Sequence, residues 1–95
     1  MPFEFEWDLK KEALNVIKHS ISFADALKVF ADPQIIHLED PCHSSEEDRF
    51  YAIGKIDSLG ILTVRYTVRG QIIRIFGAAK WRKWSKYYEQ NTRSK

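Results

Sequence analysis

The pattern of apolar and polar residues near the start of the chain predicts a strand followed by a helix. The segment FEFEW at 3–7 alternates with a period of two, which is typical of a half-buried strand. Asp8 offers a side-chain cap for a helix that ends near residues 19–20. The apolar residues of this helix share one face: Leu9, Ala13, Val16 and Ile17.

A second helix is predicted directly after the first. Residues 22–25, Ser-Phe-Ala-Asp, have the spacing of a capping box. Apolar residues then follow at helical spacing: Phe23, Ala26, Leu27 and Phe30. Asp32-Pro33 ends this helix, because the residue before a proline disfavours helical geometry.

From Gln34 onward the apolar pattern takes the period of strands. Four segments show it: QIIHLE at 34–39, FYAIGKI at 50–56, ILTVRYTV at 61–68 and QIIRIFGA at 71–78. Because the connections between them are short, an antiparallel meander is expected. In the tail 81–90, Trp81, Trp84 and Tyr88 have helical spacing. The fold class is therefore α+β: an N-terminal strand, two helices, a four-stranded antiparallel meander and a short C-terminal helix, with the helices on one face of the sheet.

The last hairpin predicts where two arginines lie. If Arg69-Gly70 forms a two-residue turn, Arg65 stands directly opposite Arg74, on the face away from the helices. Opposed like charges cost stability, so this pairing suggests an anion site, with phosphate as the expected anion. Two alternatives stay open: the arginines splay into water, or they pair with acids of the 40–48 segment. A three-residue turn would separate them.

Composition limits the chain to a single domain, residues 1–95, with one cysteine and so no internal disulfide. No signal-like leader and no long apolar run is present, which favours the cytoplasm and no membrane contact. Residues 1–60 carry 6 Lys/Arg against 12 Asp/Glu, whereas residues 61–95 carry 9 against 1. A basic C-terminal part suits RNA, DNA or an acidic protein, although the two parts could also neutralise each other.

Several motifs, in order, resemble those of the BrnT-type toxins over residues 5–89. They are FEWD at 5–8, N-x-x-K-H-x-x-S-F at 15–23, VFADP at 29–33, D-P-x-H-S and E-x-R within 40–49, and T-x-R-G with IRI within 67–75. The resemblance implies a fold similar to the RelE/ParE toxins and a ribonuclease that stops translation. It also implies a cognate DNA-binding antitoxin, BrnA-like, through which the toxin reaches operator DNA.

The resemblance further implies a set of site residues for metal-independent RNA cleavage, in which cations stabilise the phosphorane and two groups transfer protons. The motif positions give Arg74, Arg49, Arg69, His43 and Glu47 as catalytic candidates and Lys18 as a candidate for RNA binding. Residues outside the motifs add Lys80 as a catalytic candidate and Arg65, Trp81, Arg82 and Lys83 for RNA binding, although Arg65 stands where the family usually has an apolar residue. Arg74 leads as the cation, with a surface salt bridge as its alternative role. His43 and Glu47 lead for proton transfer, with structural or solvated roles as alternatives.

Other residues of the motifs carry competing interpretations. His19 also matches the family pattern, but it could instead cap the carbonyls at the end of the first helix. Trp84 and Tyr88 are expected in packing, while Trp81 is open to either packing or base stacking. No Cys/His cluster has metal-ligand spacing, so neither a metal nor another cofactor is expected.

The chain departs from the family pattern after the last strand. Many members have an arginine where this chain has Ala79, which leaves Lys80 as the nearest cation. A lysine does not reproduce the forked geometry of a guanidinium on phosphate. The leading hypothesis is an endoribonuclease toxin. The alternatives are a catalytically degenerate relative that only binds its antitoxin, and a plain nucleic-acid-binding module.

Overall fold

The computed structural model describes residues 4–40 and 48–92, which form a five-stranded mixed sheet with helices. The elements are β1 (Glu4–Trp7), α1 (Leu9–His19), α2 (Phe23–Ala26), a 3-10 helix (Leu27–Ala31), β2 (Ile36–Glu39), β3 (Arg49–Ile56), β4 (Gly60–Arg69), β5 (Ile72–Ala79) and α3 (Arg82–Thr92). The strand order is β1-β5-β4-β3-β2. Strands β2 to β5 form the antiparallel meander, and β1 pairs with β5 in parallel. The α+β class and this order of elements confirm the prediction.

The first two helices begin where their capping residues predict. The Asp8 carboxylate accepts hydrogen bonds from two backbone N–H groups at the start of α1, at 2.7 and 3.2 Å. Ser22 accepts from the N–H of Asp25 at 3.1 Å, as a capping box requires. The carboxylate that caps the first N–H groups of α2, however, belongs to Glu12 of α1. It accepts from the N–H of Phe23 at 2.8 Å and from the next N–H at 3.3 Å. Glu12 thereby fastens the two helices together.

The main core lies between the sheet and the elements α2 and the 3-10 helix. Its buried members are Ile21, Phe23, Ala26, Val29, Ala52, Ile56, Leu62, Val64, Tyr66, Ile73, Ile75 and Ala78. Gly54 of β3 allows the 3-10 helix to approach the sheet. A Cβ at Gly54 would lie 2.8 Å from the Cβ of Val29 and 2.9 Å from its carbonyl oxygen, so no side chain fits there.

Helix α3 lies on the opposite face of the sheet, so the expectation that all helices share one face is wrong. The ring of Trp84 packs 5.5 Å from that of Tyr51, which points away from the main core. Tyr88 is 4% exposed, and its hydroxyl donates to Asp32 Oδ2 at 2.5 Å. Burial opposes ionisation of Asp32, but hydrogen bonds from Tyr88 and from two backbone N–H groups together hold its pKa below the usual value. Packing of Trp84 and Tyr88 agrees with the sequence interpretation.

The attachment of α3 through Tyr88 predicts a loss of stability at alkaline pH. Burial and the hydrogen bond to Asp32 raise the pKa of Tyr88 from 10.0 to about 12. The stabilisation is therefore complete below pH 10, the value for the unfolded chain, and is lost as the pH rises toward 12. Between pH 8 and pH 11 the unfolding free energy of the wild type should fall by roughly 1 kcal/mol more than that of Tyr88→Phe. Urea titration of both proteins at the two pH values measures this difference.

The exposed neighbour Tyr87 provides the control for this prediction. Tyr87→Phe should follow the wild-type pH dependence, because the Tyr87 side chain is 37% exposed. Tyr66 also has a pKa raised to about 12 by burial, but it is present in every variant and so does not affect the comparison. Equal losses in Tyr88→Phe and Tyr87→Phe would contradict the role given to Tyr88.

The β4–β5 hairpin has a different register from the predicted one. Arg69 pairs with Ile72, which places Gly70-Gln71 in the loop, and Gly70 has a φ of 62° that favours glycine. Farther along, the register shifts at a β-bulge between Arg65 and Tyr66. Arg74 therefore faces Thr67, while Arg65 faces Gly77. The two arginines share a face of the sheet but are not directly opposed, so the predicted pairing is wrong.

Helix α1 has its polar and apolar sides reversed relative to an ordinary surface helix. The side chains of Leu9 and Ile17 are 75% and 78% exposed, and Val16 is 43% exposed. Asn15 is instead buried, at 9% exposed. The reason lies in the packing of α1, since it uses Asn15 and Glu12 as hydrogen-bonding groups toward the rest of the fold. The apolar face predicted for this helix points to solvent.

Candidate nucleic-acid interface

Part of the face that carries α3 is left open and forms a polar row across four strands. The register aligns Glu6 of β1, Arg74 of β5, Thr67 of β4 and Arg49 of β3. At one end of the row Arg74 Nη1 donates to Glu6 Oε2 at 2.8 Å, and both side chains are about one third exposed, at 30% and 39%. The charge of Arg74 is therefore already compensated within the fold, which is the alternative role that the sequence offered for it.

A second row of residues crosses the sheet next to the first. The bulge adds Phe76 to β5, and its ring lies between two guanidinium groups. The Cζ atoms of Arg49 and Arg65 are each 5.0 Å from the centroid of the Phe76 ring. Cation–π contacts of this kind attract both guanidinium groups to the ring. The open face therefore presents two positive groups around one aromatic ring.

Arg65 stands out among the cations because its charge is not matched. Within residues 4–40 and 48–92 no carboxylate pairs with it, and its buried Nε has no hydrogen-bond partner. Gly77 leaves room for its stem, since a Cβ there would lie 3.4 Å from Arg65 Cδ. A half-buried guanidinium without a described carboxylate partner is suited to bind the oxygens of a phosphate.

Two hollows meet at Arg65 and Trp81, and together they form what we call the basic cleft. One, of about 340 Å³, is lined by Tyr51, Arg65, Trp81, Lys83 and Trp84. The other, of about 300 Å³, is lined by Lys11, Leu14, Asn15, Lys18, His19, Arg65, Phe76, Gly77, Ala78 and Trp81. The cleft thus combines cations with flat aromatic surfaces, as single-stranded nucleic acid sites do.

Helix α1 brings an imidazole into the basic cleft. The ring of His19 packs edge-on against that of Trp81, with 6.1 Å between the centroids. His19 is exposed, so its ring nitrogens are accessible from the cleft. The capping role was an alternative for this residue, but the C-cap of α1 is Ser20, whose φ of 59° is left-handed. His19 and Arg65 thus line the same hollow of the basic cleft.

The structure brings together some of the residues predicted from the sequence and separates others. Those that line the basic cleft are Lys18, Arg65, Trp81 and Lys83, with Arg49 joined to them through Phe76. Exposed Lys80 and Arg82 line neither hollow. Arg69 is beside the β4–β5 turn, four positions along the strand from Arg65. His43 and Glu47 lie outside the described residues.

Three residues of the cleft had a weak sequence signal. Phe76 and Tyr51 read as ordinary strand residues, because neither the bulge nor the uncovered part of the face is visible in an apolar alternation. His19 was named only as one motif position among several. An aromatic and a histidine near basic residues is the pattern that could have drawn attention to them.

Ala79 is 1% exposed and faces Thr63. This position, where the resemblance implies an arginine, is therefore part of the packing near the start of α3. Of the cations that line the cleft, Lys83 is the nearest to Ala79 along the chain.

Two further structural facts concern metals and membranes. In the described ranges, no group of three or more His, Cys, Asp or Glu side chains is arranged to hold a metal ion. Among the three helices found in these ranges, none has the length and apolar character needed to cross a bilayer.

Comparisons with known proteins identify the family. Residues 7–84 match the family model described as the ribonuclease toxin, BrnT, of type II toxin–antitoxin systems. The fold is similar to the crystal structure of the Brucella abortus ribonuclease toxin BrnT, with a TM-score of 0.61 and 25% identity, covering 81% of this chain and 94% of that one. A comparison with curated proteins found no match. The chain therefore belongs to the BrnT family of ribonuclease toxins of type II toxin–antitoxin systems.

Proposed function

We propose that this chain, as a single domain over residues 1–95, is an endoribonuclease that cleaves single-stranded RNA in the basic cleft without a metal ion and thereby stops translation in the cytoplasm. The observation that carries the proposal is Arg65, a guanidinium with no carboxylate partner among the described residues, which lies against the Phe76 ring and lines both hollows together with Trp81. Cations with stacking surfaces fit a phosphate and its neighbouring bases at the same time.

The proposed reaction is attack of a ribose 2′-OH on the adjacent phosphate. The oxygen–phosphorus bond to the 5′-oxygen of the next nucleotide breaks, which leaves a 2′,3′-cyclic phosphate and a 5′-OH. Charge accumulates on the phosphate oxygens in the transition state, and Arg65 with Arg49 lies where it can compensate that charge. Because the two guanidiniums are held against Phe76, they need little reorganisation when the charge develops.

We assign one proton transfer to His19, whose ring lies in the same hollow as Arg65. A positioned general acid or base typically contributes about a hundredfold or more. We expect His19→Gln to lower the cleavage rate at saturating RNA by roughly that factor, with RNA affinity changed by less than about threefold. A loss confined to affinity would show that His19 only packs against Trp81.

Six residues named in the sequence analysis lie either outside the cleft or outside the described residues: His43, Glu47, Arg74, Arg69, Lys80 and Arg82. For the four cations, the positions outside the cleft suit contacts to the RNA backbone on either side of the cleaved bond. For His43 and Glu47 the second proton transfer is the proposed role. For each of these residues, the proposed role is tested by substituting it and measuring the cleavage rate at saturating RNA and the RNA affinity separately.

The chemistry is tested with two matched oligonucleotides in excess EDTA. One is single-stranded RNA, and the other carries 2′-deoxyribose at every position. We expect cleavage of the RNA only, with 2′,3′-cyclic phosphate ends, while both strands bind, because the deoxy strand lacks the nucleophile. Loss of RNA cleavage in EDTA that returns with Mg²⁺ would refute metal independence. Cleavage of the deoxy strand would refute the 2′-OH mechanism.

The family implies an antitoxin partner. We propose that it is a BrnA-like, DNA-binding protein and that the toxin reaches operator DNA only through it. Its neutralising effect follows if its residues occupy the basic cleft, where carboxylates replace the phosphates of RNA.

A second candidate function is a degenerate relative that binds its antitoxin or nucleic acid without cleaving. Ala79 is the observation that favours it, because this position supplies no guanidinium to a phosphate. The same EDTA experiment separates the candidates. Intact RNA, retained binding to the oligonucleotides and a folded protein would support the second one.

A further inference from the structure

The outer face of α1 is apolar although it faces solvent. Four side chains form it, with exposed fractions of 75% for Leu9, 61% for Leu14, 43% for Val16 and 78% for Ile17. Exposed large apolar residues scattered singly are ordinary, but a contiguous set on one helix marks an interaction surface. At 100° per residue these positions fall in one arc together with Ala13. We call this arc the α1 apolar face.

The inward side of α1 shows that this arrangement is built into the helix. Asn15 makes three hydrogen bonds, to the carbonyls of Ile21 and Ala78 at 2.9 Å each and from the N–H of Ala78 at 3.1 Å. Glu12 bonds the start of α2 on the same side. Rotating the helix to bury its apolar residues would break all of these bonds and leave buried polar groups without partners. The α1 apolar face therefore stays outward.

The charges around the α1 apolar face indicate what covers it. The exposed charged side chains of the helix are all basic: Lys10, Lys11, Lys18 and, when protonated, His19. Glu12 is turned toward α2 and does not offset them. Lys11, Lys18 and Leu14 also line the basic cleft, so the apolar face continues into it without a gap. An occupant therefore needs apolar residues for α1 and carboxylates for the lysines and the cleft.

We propose that the α1 apolar face is the docking surface for an acidic amphipathic segment of the antitoxin, which lies along α1 and directs its carboxylates into the basic cleft. This rests on the proposed function in one respect, the antitoxin as partner. Docking along α1 would exclude RNA from Arg65 without any change in the toxin fold. Helix-in-groove recognition by apolar residues at helical spacing is the corresponding binding mode.

Two other occupants fit the observations less well. In a symmetric contact between two copies, the lysines of one α1 would meet the lysines of the other, which is unfavourable. A membrane surface could accept the apolar residues and the lysines. A flat bilayer does not enter the concave cleft that Leu14 and Lys18 share with Arg65, however.

The test measures binding of the purified cognate antitoxin by calorimetric titration. The double variant Leu9→Ser/Ile17→Ser removes apolar surface at two strongly exposed positions, neither of which lines the cleft. We expect binding to weaken by roughly a hundredfold, because buried aliphatic anchors dominate such interfaces. The matched control is Val68→Ser, at an apolar side chain 40% exposed on β4, with affinity unchanged within about twofold.

Charge reversal gives a second, independent measurement. Lys10 lies within the arc of the α1 apolar face, between the directions of Ile17 and Leu14, and lines neither hollow; its reversal is Lys10→Glu. It should weaken antitoxin binding and reduce the dependence of affinity on salt concentration. Thermal denaturation confirms that each variant is folded, which is expected because all four substituted side chains are exposed.

Several outcomes would overturn the proposal. Antitoxin affinity unchanged by Leu9→Ser/Ile17→Ser would place the interface elsewhere. A wild-type dimer in sedimentation that dissociates in this variant would assign the face to a second copy. Binding to anionic phosphatidylserine vesicles that is lost in the variant would assign it to a membrane. If no chain cleaves RNA but the titration behaves as expected, the ribonuclease proposal fails and the docking proposal stands.

Discussion

Arg65→Gln is expected to cleave single-stranded RNA about a hundredfold or more slowly than the wild type, the largest effect on activity of any single cation. Arg65 combines three properties that the other described cations do not combine. It lies at the junction of both hollows, its Nε has no hydrogen-bond partner, and no described carboxylate neutralises it. Gln keeps polar hydrogen-bonding capacity and removes the charge, so the loss reports electrostatic stabilisation of the transition state.

Arg74→Gln distinguishes the structural assignment from the sequence-based one. The sequence gives Arg74 the leading role, whereas its pairing with Glu6 at 2.8 Å leaves less of its charge available to a substrate. We expect the loss from Arg74→Gln to be roughly tenfold smaller than that from Arg65→Gln. The reverse order of the two losses would move the reaction centre from the basic cleft to the polar row.

Two further variants complete the comparison. Lys28→Gln removes one positive charge at an exposed pair with Asp25, far from the open face, and should leave cleavage unchanged. Arg65→Lys keeps the positive charge but removes the forked guanidinium group. An intermediate cleavage rate is therefore expected if Arg65 contacts the phosphate in a bidentate way. Equal losses in Lys28→Gln and Arg65→Gln would show that net charge alone drives activity.

The local elements of this fold could be predicted because short-range physics determines them. Asp8 and Ser22 cap the helices that their positions indicate, and the four later strands follow the alternation of apolar residues. The parallel pairing of β1 with β5 was not predicted, since no local pattern records which distant strand a segment joins. The C-terminal helix was predicted, but not the face of the sheet on which it lies.

The site was predicted less well because it depends on register. A shift of the turn by one residue and a bulge at Arg65 changed the partners of both arginines. No residue type near Arg65 forces a bulge, although Gly77 is consistent with one, since glycine in a strand often accompanies a close approach. The basic character of the open face was visible in the sequence, but its centre was not.

Helix α1 shows that an amphipathic pattern predicts an apolar face but not whether that face points to the core or to solvent. Periodicity assigns Leu9 and Ile17 to one side of a helix, and burial of that side is the usual inference. In this chain the other side carries Asn15 and Glu12, whose hydrogen bonds to backbone groups hold the helix in place. A polar anchor can therefore reverse the expected orientation when a partner is available for the apolar side.

Asn15→Ala is expected to lower the unfolding free energy by about 3 kcal/mol, the largest stability effect of a single substitution outside the apolar core. The β1 strand pairs with β5 only as far as Ile75, so Ala78, which is opposite Val64 of β4, has no strand partner on the β1 side. The Asn15 side chain takes the place of a strand there. It accepts from the Ala78 N–H and donates to the Ala78 carbonyl, and it also donates to the carbonyl of Ile21.

Removing the amide leaves three backbone groups without partners in a buried setting, each at a cost of about 1 kcal/mol or more. Asn91→Ala is the control, because Asn91 also donates to a backbone carbonyl but is exposed, so water replaces the bond. Urea unfolding of both variants gives the comparison. A loss below about 0.5 kcal/mol for Asn15→Ala would show that water reaches these groups and that α1 is held by other contacts.

Asn15→Asp sharpens the test, because Asp can still accept from the Ala78 N–H but turns two donor contacts into contacts between oxygens. If the stabilisation requires the amide both to donate and to accept hydrogen bonds, Asn15→Asp should be at least as destabilising as Asn15→Ala, even though Asp has nearly the same shape as Asn. Hydrogen exchange of the Ala78 amide locates the effect. Its protection should fall in Asn15→Ala and partly persist in Asn15→Asp, since only the acceptor remains. The same residue holds α1 against β5, and Lys18 and His19 of α1 line the hollow that also contains Arg65, so we expect Asn15→Ala to alter the basic cleft as well as the stability of this edge.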